Sequence, residues 1–143
     1  MVFAQALINP NSPAGICIEI GARGEFSAVL SPHVISEILE LPQKVPAKYL
    51  LTDDKVATFL AEFVPTCLLL DQVPRVFEHP IDPDDSAYVD LAIAADASII
   101  VSRDKHLLGL THLQKPWSAD FRRRFPQMKV LRIEEFLELL RAP

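Results

Sequence analysis

Carboxylates cluster in one stretch of this chain, between Asp82 and Asp104. The segment Asp82–Asp85 (DPDD) opens a predicted helix, and Asp104 follows the apolar strand Ile99–Val101. Open α/β sheets bind ligands at the carboxyl ends of their strands, and the first turn of the preceding helix can point to the same place. Clustered carboxylates repel one another unless a cation joins them, and hard oxygen ligands suit Mg²⁺ or Mn²⁺. The pattern therefore indicates a divalent-metal site.

Each of these acids also has a purely structural interpretation. Asp82 can cap the predicted helix with Pro83 in its first position, and acids there favour the positive end of the helix dipole. Asp104 can cap the short helix that the sequence predicts over residues 104–110. Because capping and metal ligation can use different acids, the sequence leaves both roles open.

Composition narrows the class of protein. Half of the 143 residues are hydrophobic, which is enough for a sizeable core, and the length is that of one domain. The formal net charge of −5 argues against a broad nucleic-acid-coating surface, but not against an enzyme that holds a phosphodiester through a metal. No apolar run approaches the ~18 residues of a membrane span, and no signal peptide is evident, so a cytoplasmic protein without membrane contact is expected.

Helical and strand patterns alternate along the chain. Ser31 and Thr52 are predicted N-caps, and Pro13 and Pro32 stand in first turns, where helices tolerate proline. Helices are predicted over residues 12–23, from 31, from 52, and over 84–97, 104–110 and 133–141, with apolar strands at 26–30, 67–70, 99–101 and 129–132. Strands with little polar alternation are typical of a parallel sheet covered on both faces. The expected fold is α/β, a three-layer α/β/α sandwich around a central parallel sheet, in a single domain over residues 1–143.

In the order and spacing of several segments, the chain resembles the PIN-domain proteins, in particular the branch of toxin components from toxin–antitoxin pairs. The matching segments cover most of the chain: Val2–Pro10 (VFAQALINP), Leu30–Glu37 (LSPHVISE), Asp82–Asp85 followed by Leu91–Ala94 (LAIA), Ile100–Asp104 (IVSRD) and Ile133–Leu137 (IEEFL). Each segment is weakly specific alone, but together they are fairly specific.

The resemblance implies a Mg²⁺- or Mn²⁺-dependent ribonuclease with an RNA substrate and an antitoxin protein as partner. By position, Glu37 corresponds to the family's helix glutamate, Asp85 to the acid that opens its fourth helix, and Asp104 to the acid after its Ser/Thr-x-Asp strand. Asp84 competes with Asp85, and Ser102 takes the hydroxyl position that would contact substrate. A metal held by these acids would polarise a phosphodiester and lower the pKa of a bound water. Apolar helices beyond the needs of a core also predict a homodimer.

One departure from the family pattern affects the predicted activity. In the family, the first catalytic aspartate ends an opening strand in an Asp-x-Asn motif, whereas this sequence begins with Met1 where that motif should end. Met1–Ala4 is too short to supply the strand, so the first strand is expected to be missing or truncated, with weakened metal binding and turnover. The alternative function is therefore a non-catalytic PIN-like domain that acts in protein binding or dimerisation.

For the other polar residues, structural roles are favoured over functional ones. Asp90 lies off the face of Asp85 and is left out of the site. Arg122–Arg124, with Trp117 and Phe121 nearby, could contact RNA phosphates and stack a base, although a solvated helix face with an anchoring Trp117 is favoured. The four histidines show no zinc spacing and are expected at the surface or behind a site: His33, His79, His106 and His112.

Overall fold

Short helices alternate with short parallel strands in the computed structural model, which describes residues 2–111 and 115–142. The chain divides into a first unit, Met1–Gln72, and a second unit, Val73–Pro143. Each unit contains one hydrogen-bonded pair of parallel strands. The α/β class with parallel strands is therefore confirmed, while the single domain over residues 1–143 stays a prediction.

The first unit is mainly helical. Its strands β1 (Val29–Leu30) and β2 (Leu68–Leu69) pair in parallel, with Leu30 opposite Leu69. Its helices are α1 (Val2–Ile8), α2 (Pro13–Ala22), α3 (Pro32–Leu39), α4 (Leu41–Lys44) and α5 (Asp53–Phe63), with 3-10 turns at Ala47–Tyr49 and Val64–Thr66. The segment Val2–Ile8 forms a helix, which the sequence pattern did not predict, and Met1 lies outside the described residues.

Side-chain caps fix where these helices begin. The Ser12, Ser31 and Thr52 hydroxyls accept the backbone N–H three residues later, at 3.2, 3.3 and 3.2 Å respectively. Each cap satisfies one of the N–H groups that a helix start leaves without an internal partner. The caps predicted at Ser31 and Thr52 are therefore confirmed.

In the second unit, a strand ends shortly before Asp104, the last acid of the predicted site. Strands β3 (Ile99–Val101) and β4 (Lys129–Leu131) pair in parallel, with Val101 opposite Leu131. The helices are α6 (Ser86–Ala94), α7 (Lys105–Leu108), α8 (Ala119–Arg124) and α9 (Ile133–Arg141), with 3-10 turns at Pro83–Asp85 and Pro116–Ser118. The core includes Val89, Leu110, Phe121 and Val130, which are completely or almost completely buried, and the largely buried Ile100.

Several elements are shorter than the sequence pattern predicts. The helix predicted over 84–97 begins as the 3-10 turn and ends at Ala94, and Asp96 then adopts a left-handed φ of 53°. The strands predicted at 26–30 and 67–70 are reduced to two residues each, and Leu68 and Leu69 are exposed. The strand lengths predicted from apolar composition alone are therefore too long, because a strand also requires a hydrogen-bonded neighbour. Among the described residues, no helix is long and apolar enough to cross a membrane.

Candidate metal centre

Asp85 is a buried carboxylate with one oxygen that has no hydrogen-bond partner among the described residues. It ends the 3-10 turn before α6 and is only 7% exposed. Within residues 2–111 and 115–142, no group forms a hydrogen bond with its Oδ2. Burial, followed by the charges of Asp104 and Asp82, raises the pKa of Asp85 from 3.8 to about 6, against a smaller opposing effect of His106. At neutral pH such a carboxylate is mostly ionised, and the repulsion from the neighbouring carboxylates is what a bound cation would relieve.

Asp82 and His106 form a group of three candidate ligands with Asp85. Each of the three residues offers one oxygen or nitrogen atom, and these atoms all lie within 4.8 Å of one another. Asp82 Oδ2 is 3.4 Å from Nδ1 of His106, while Asp82 Oδ1 accepts the Asp84 N–H at 3.2 Å and caps the turn. Asp82 is therefore both the predicted cap and a candidate ligand, with one oxygen for each role.

Asp104 lies beside this group and forms a hydrogen bond with the backbone of His106. Its Oδ1 accepts the His106 N–H at 2.7 Å and caps α7, and its own N–H donates to Ser102 Oγ at 3.0 Å. The carboxylate also helps to raise the pKa of Asp85, which places its negative charge near that side chain. The capping role considered for Asp104 is confirmed, and its charge also acts on Asp85.

His79 connects the two chain segments that carry the ligands. The ring is completely buried. Its Nδ1 accepts N–H groups from Ile81 at 3.1 Å and Asp82 at 3.0 Å, and its Nε2 lies 2.8 Å from the carbonyl oxygen of His106. Because Nδ1 accepts two hydrogen bonds, the ring proton belongs on Nε2, which donates to His106. One ring thus holds the backbone of both Asp82 and His106.

The other predicted site residues lie in different surroundings. Glu37 belongs to the first unit, on α3, where Nε2 of His33 is 2.6 Å from its Oε1. Asp84 is exposed and stands outside the group of three, whereas Asp85 is inside it. Ser102 is buried, and its hydroxyl accepts from the backbone of Asp104. The roles predicted for Glu37 as a ligand and Ser102 as a substrate contact stay predictions.

Three residues of this centre were not assigned to it from the sequence. The sequence leaves both a capping and a metal role open for the acids of Asp82–Asp85 without naming Asp82 as a ligand, and His79 and His106 show no zinc spacing. One local feature of the sequence could have indicated His106 as a member of the site. It follows Asp104 by two residues, close to the strand end where the site is predicted. The link between His79 and His106 is tertiary, so sequence spacing could not reveal it. His112 lies outside the described residues.

Two of the remaining interpretations agree with the structure. Asp90 is buried away from the centre, and its Oδ1 accepts N–H groups from Val76 and Phe77 at 3.0 and 2.8 Å. On α8, Arg123 and Arg124 both pair with Asp120, as expected of a solvated helix face.

The donor set fits a divalent cation. Two carboxylates and one imidazole suit Mn²⁺ and related transition metals, and carboxylates with water also suit Mg²⁺. The buried oxygen of Asp85, which has no hydrogen-bond partner among the described residues, is a second observation that is consistent with a bound cation.

Comparison with known proteins assigns the chain to a family. A model described as PIN domain matches residues 1–106, which include Asp85, Asp104 and His106. The chain is also similar to Uncharacterized protein MJ1680 of Methanocaldococcus jannaschii, with 26% identity over 136 residues, 87% of this chain and 86% of that protein. No solved structure matches. The family match covers well over half of the sequence, so the chain belongs to the PIN domain family.

Proposed function

We propose that this chain is a metal-dependent ribonuclease. Membership of the PIN domain family indicates a nuclease-type function and nucleic acid as the substrate class. The observation that carries the proposal is the buried Oδ2 of Asp85, which has no hydrogen-bond partner and belongs to a three-residue group that can hold a metal. RNA as the substrate, Mg²⁺ or Mn²⁺ as the ion and catalysis itself go beyond the family assignment.

In this proposal Asp82, Asp85 and His106 hold the ion, and Asp104 contributes negative charge beside them. The ion would act as a Lewis acid on a phosphodiester and would lower the pKa of a bound water. His79 keeps the backbone of Asp82 and His106 in place, so that the ligands do not need to be reorganised when substrate arrives.

The decisive experiment compares two neighbouring carboxylates. Asp85→Asn and Asp84→Asn make the same chemical change one residue apart, but only Asp85 is buried and belongs to the group of three. Full-length protein is incubated with a labelled single-stranded RNA in Mg²⁺ or in Mn²⁺, with EDTA as the blank. We expect cleavage by the parent and by Asp84→Asn, and a loss of at least about a hundredfold in Asp85→Asn.

Other outcomes would point elsewhere. Equal cleavage by Asp85→Asn and the parent would remove the centre from the mechanism. If the parent neither cleaves RNA nor binds either metal in calorimetry, the non-catalytic alternative in protein binding or dimerisation takes the place of the nuclease.

The more specific expectations rest on the resemblance noted in the sequence. A toxin role, an antitoxin partner and a homodimer are part of the proposal, and Glu37 and Ser102 are further candidates for metal and substrate contacts. Glu37→Gln and Ser102→Ala, assayed for cleavage and for metal affinity, test these two residues. Growth arrest on expression of the parent but not of Asp85→Asn would support the toxin role.

A further inference from the structure

A cavity of about 770 Å³ in the second unit adjoins the candidate metal centre. It shares His106 with that centre, and its apolar lining includes Ile81, Leu108 and Gly109. The volume lies within the roughly 300–1,000 Å³ that is usual for small-ligand sites. A molecule in this cavity would therefore lie next to the residues proposed to hold the metal.

The charged lining of the cavity is entirely basic among the residues that the structure describes. It consists of four exposed cations: Arg103, Lys105, Lys115 and Arg132. No ion pair involving any of the four is found in residues 2–111 and 115–142. The chain as a whole has a formal net charge of −5, so this concentration of positive charge does not follow from average composition. Free cations around one cavity favour an anionic ligand.

Trp117 gives the same cavity an aromatic wall in a fixed position. The side chain is half-buried, and its ring centroid lies 5.3 Å from that of His79. A Cβ added at Gly109 would come within 2.6 Å of Trp117 Cη2, so the indole needs glycine at this position to pack as it does. A fixed indole that keeps part of its surface exposed is a suitable platform for stacking a planar group.

We propose that this cavity binds a nucleotide of single-stranded RNA next to the scissile bond, with the base on Trp117 and the phosphates on Arg103, Lys105 and Arg132. A nucleotide strand combines anionic phosphates with flat bases, and it can continue from the cavity towards the adjoining candidate metal centre. An acidic peptide carries negative charge but would leave the indole without a stacking partner. The inference rests on the proposed ribonuclease function and names its substrate subsite.

The sole tryptophan of the chain makes this binding directly observable. Full-length protein is titrated with a short oligoadenylate RNA in EDTA, so that neither cleavage nor metal contributes, and intrinsic fluorescence is followed. Stacking on Trp117 predicts saturable quenching. The affinity of the same RNA, fluorescein-labelled, is then measured by anisotropy over a range of salt concentrations.

Two pairs of substitutions distinguish RNA binding in the cavity from general electrostatic attraction to the protein surface. Arg103→Gln with Lys105→Gln removes two cavity cations, and Arg75→Gln with Lys129→Gln removes two exposed cations outside it. We expect the cavity pair to weaken binding about tenfold or more and to flatten the plot of log K against log salt by about 1.4, at 0.7 per phosphate contact. The control pair should change both quantities much less.

The outcomes distinguish this proposal from the ribonuclease proposal. Absence of quenching in the parent, or equal effects of the two pairs, would overturn the cavity assignment even if the parent cleaves RNA. Quenching with selective loss in the cavity pair would support the subsite, and would do so even if Asp85→Asn left cleavage unchanged. Circular dichroism of each variant confirms that the comparison is made between folded proteins.

Discussion

Replacement of Asp85 by Asn should stabilise the metal-free protein while abolishing metal binding. The two side chains have nearly the same shape, but only aspartate carries a charge. In the folded chain, that charge is buried close to Asp82 and Asp104, and the carboxylate Oδ2 lacks a hydrogen-bond partner among the described residues. Ionised Asp85 therefore destabilises the metal-free fold, and a bound cation would relieve this effect.

The size of the effect follows from the pKa. Folding raises the pKa of Asp85 from 3.8 to about 6, so the folded state binds more protons than the unfolded state between these values. Stability contributed by this group is therefore present below pH 3.8 and falls as pH rises to about 6. About two pKa units correspond to at most about 3 kcal/mol, and we expect about 1–3 kcal/mol after solvent screening. For a chain of this size, Tm should rise by roughly 3–8 °C at pH 7.

The assay is thermal unfolding of the parent, Asp85→Asn and the exposed control Asp84→Asn. Scans in EDTA at pH 7 and pH 4 test the charge, because the advantage of Asp85→Asn should shrink at the lower pH. Scans with Mn²⁺ test the ion: a ligand at 100 times its Kd adds about 2.7 kcal/mol, and only Asp85→Asn should fail to gain it. If Asp85→Asn is less stable than the parent at pH 7 in EDTA, the account of a buried, uncompensated carboxylate is wrong.

Three further substitutions test a buried histidine behind the candidate centre, one of its candidate ligands, and a buried aspartate elsewhere in the second unit. His79→Ala leaves two N–H groups and the His106 carbonyl without their partner, so it should cost about 2–5 kcal/mol in urea unfolding and about ten- to a hundredfold in Mn²⁺ affinity, with exposed Glu78→Ala as control. His106→Asp replaces a nitrogen ligand with oxygen, so calorimetry should show a lower ratio of Mn²⁺ to Mg²⁺ affinity; an unchanged ratio would remove the imidazole from the site. Asp90→Ala leaves two N–H groups without a hydrogen-bond partner and should lower the free energy of unfolding in urea by about 2–4 kcal/mol, whereas exposed Asp96→Asn should be nearly neutral.

Features encoded by neighbouring residues could be predicted from the sequence. The hydroxyl caps at Ser31 and Thr52 depend on contacts three residues away, and helix α9 occupies the predicted residues 133–141. The α/β class also followed, because the alternation of helical and apolar strand patterns depends on order along the chain alone. In the candidate site, the sequence also indicates an acidic cluster that includes Asp85, which the structure groups with Asp82 and His106, while its role as a ligand stays a prediction.

Features that depend on distant residues could not be predicted. His79 acts through bonds to residues 82 and 106, and Trp117 packs on Gly109, so neither role is visible in spacing along the chain. The strands are shorter than their apolar runs because hydrogen-bond pairing, rather than composition, sets their ends. Which carboxylate is buried, Asp84 or Asp85, likewise depends on how the 3-10 turn packs.

The ring of His79 also affects the entropy of ion binding. Asp82 and His106 are separated by about 24 residues, and drawing together the ends of a flexible loop of that length costs about 3 kcal/mol, from (3/2)RT ln n. In the folded protein the packing of α6 and β3, together with the hydrogen bonds of His79, already holds these two ends together in the absence of an ion. Metal binding therefore does not bear the cost of loop closure, and two carboxylates with one imidazole can hold an ion more tightly than the same three side chains on a mobile loop.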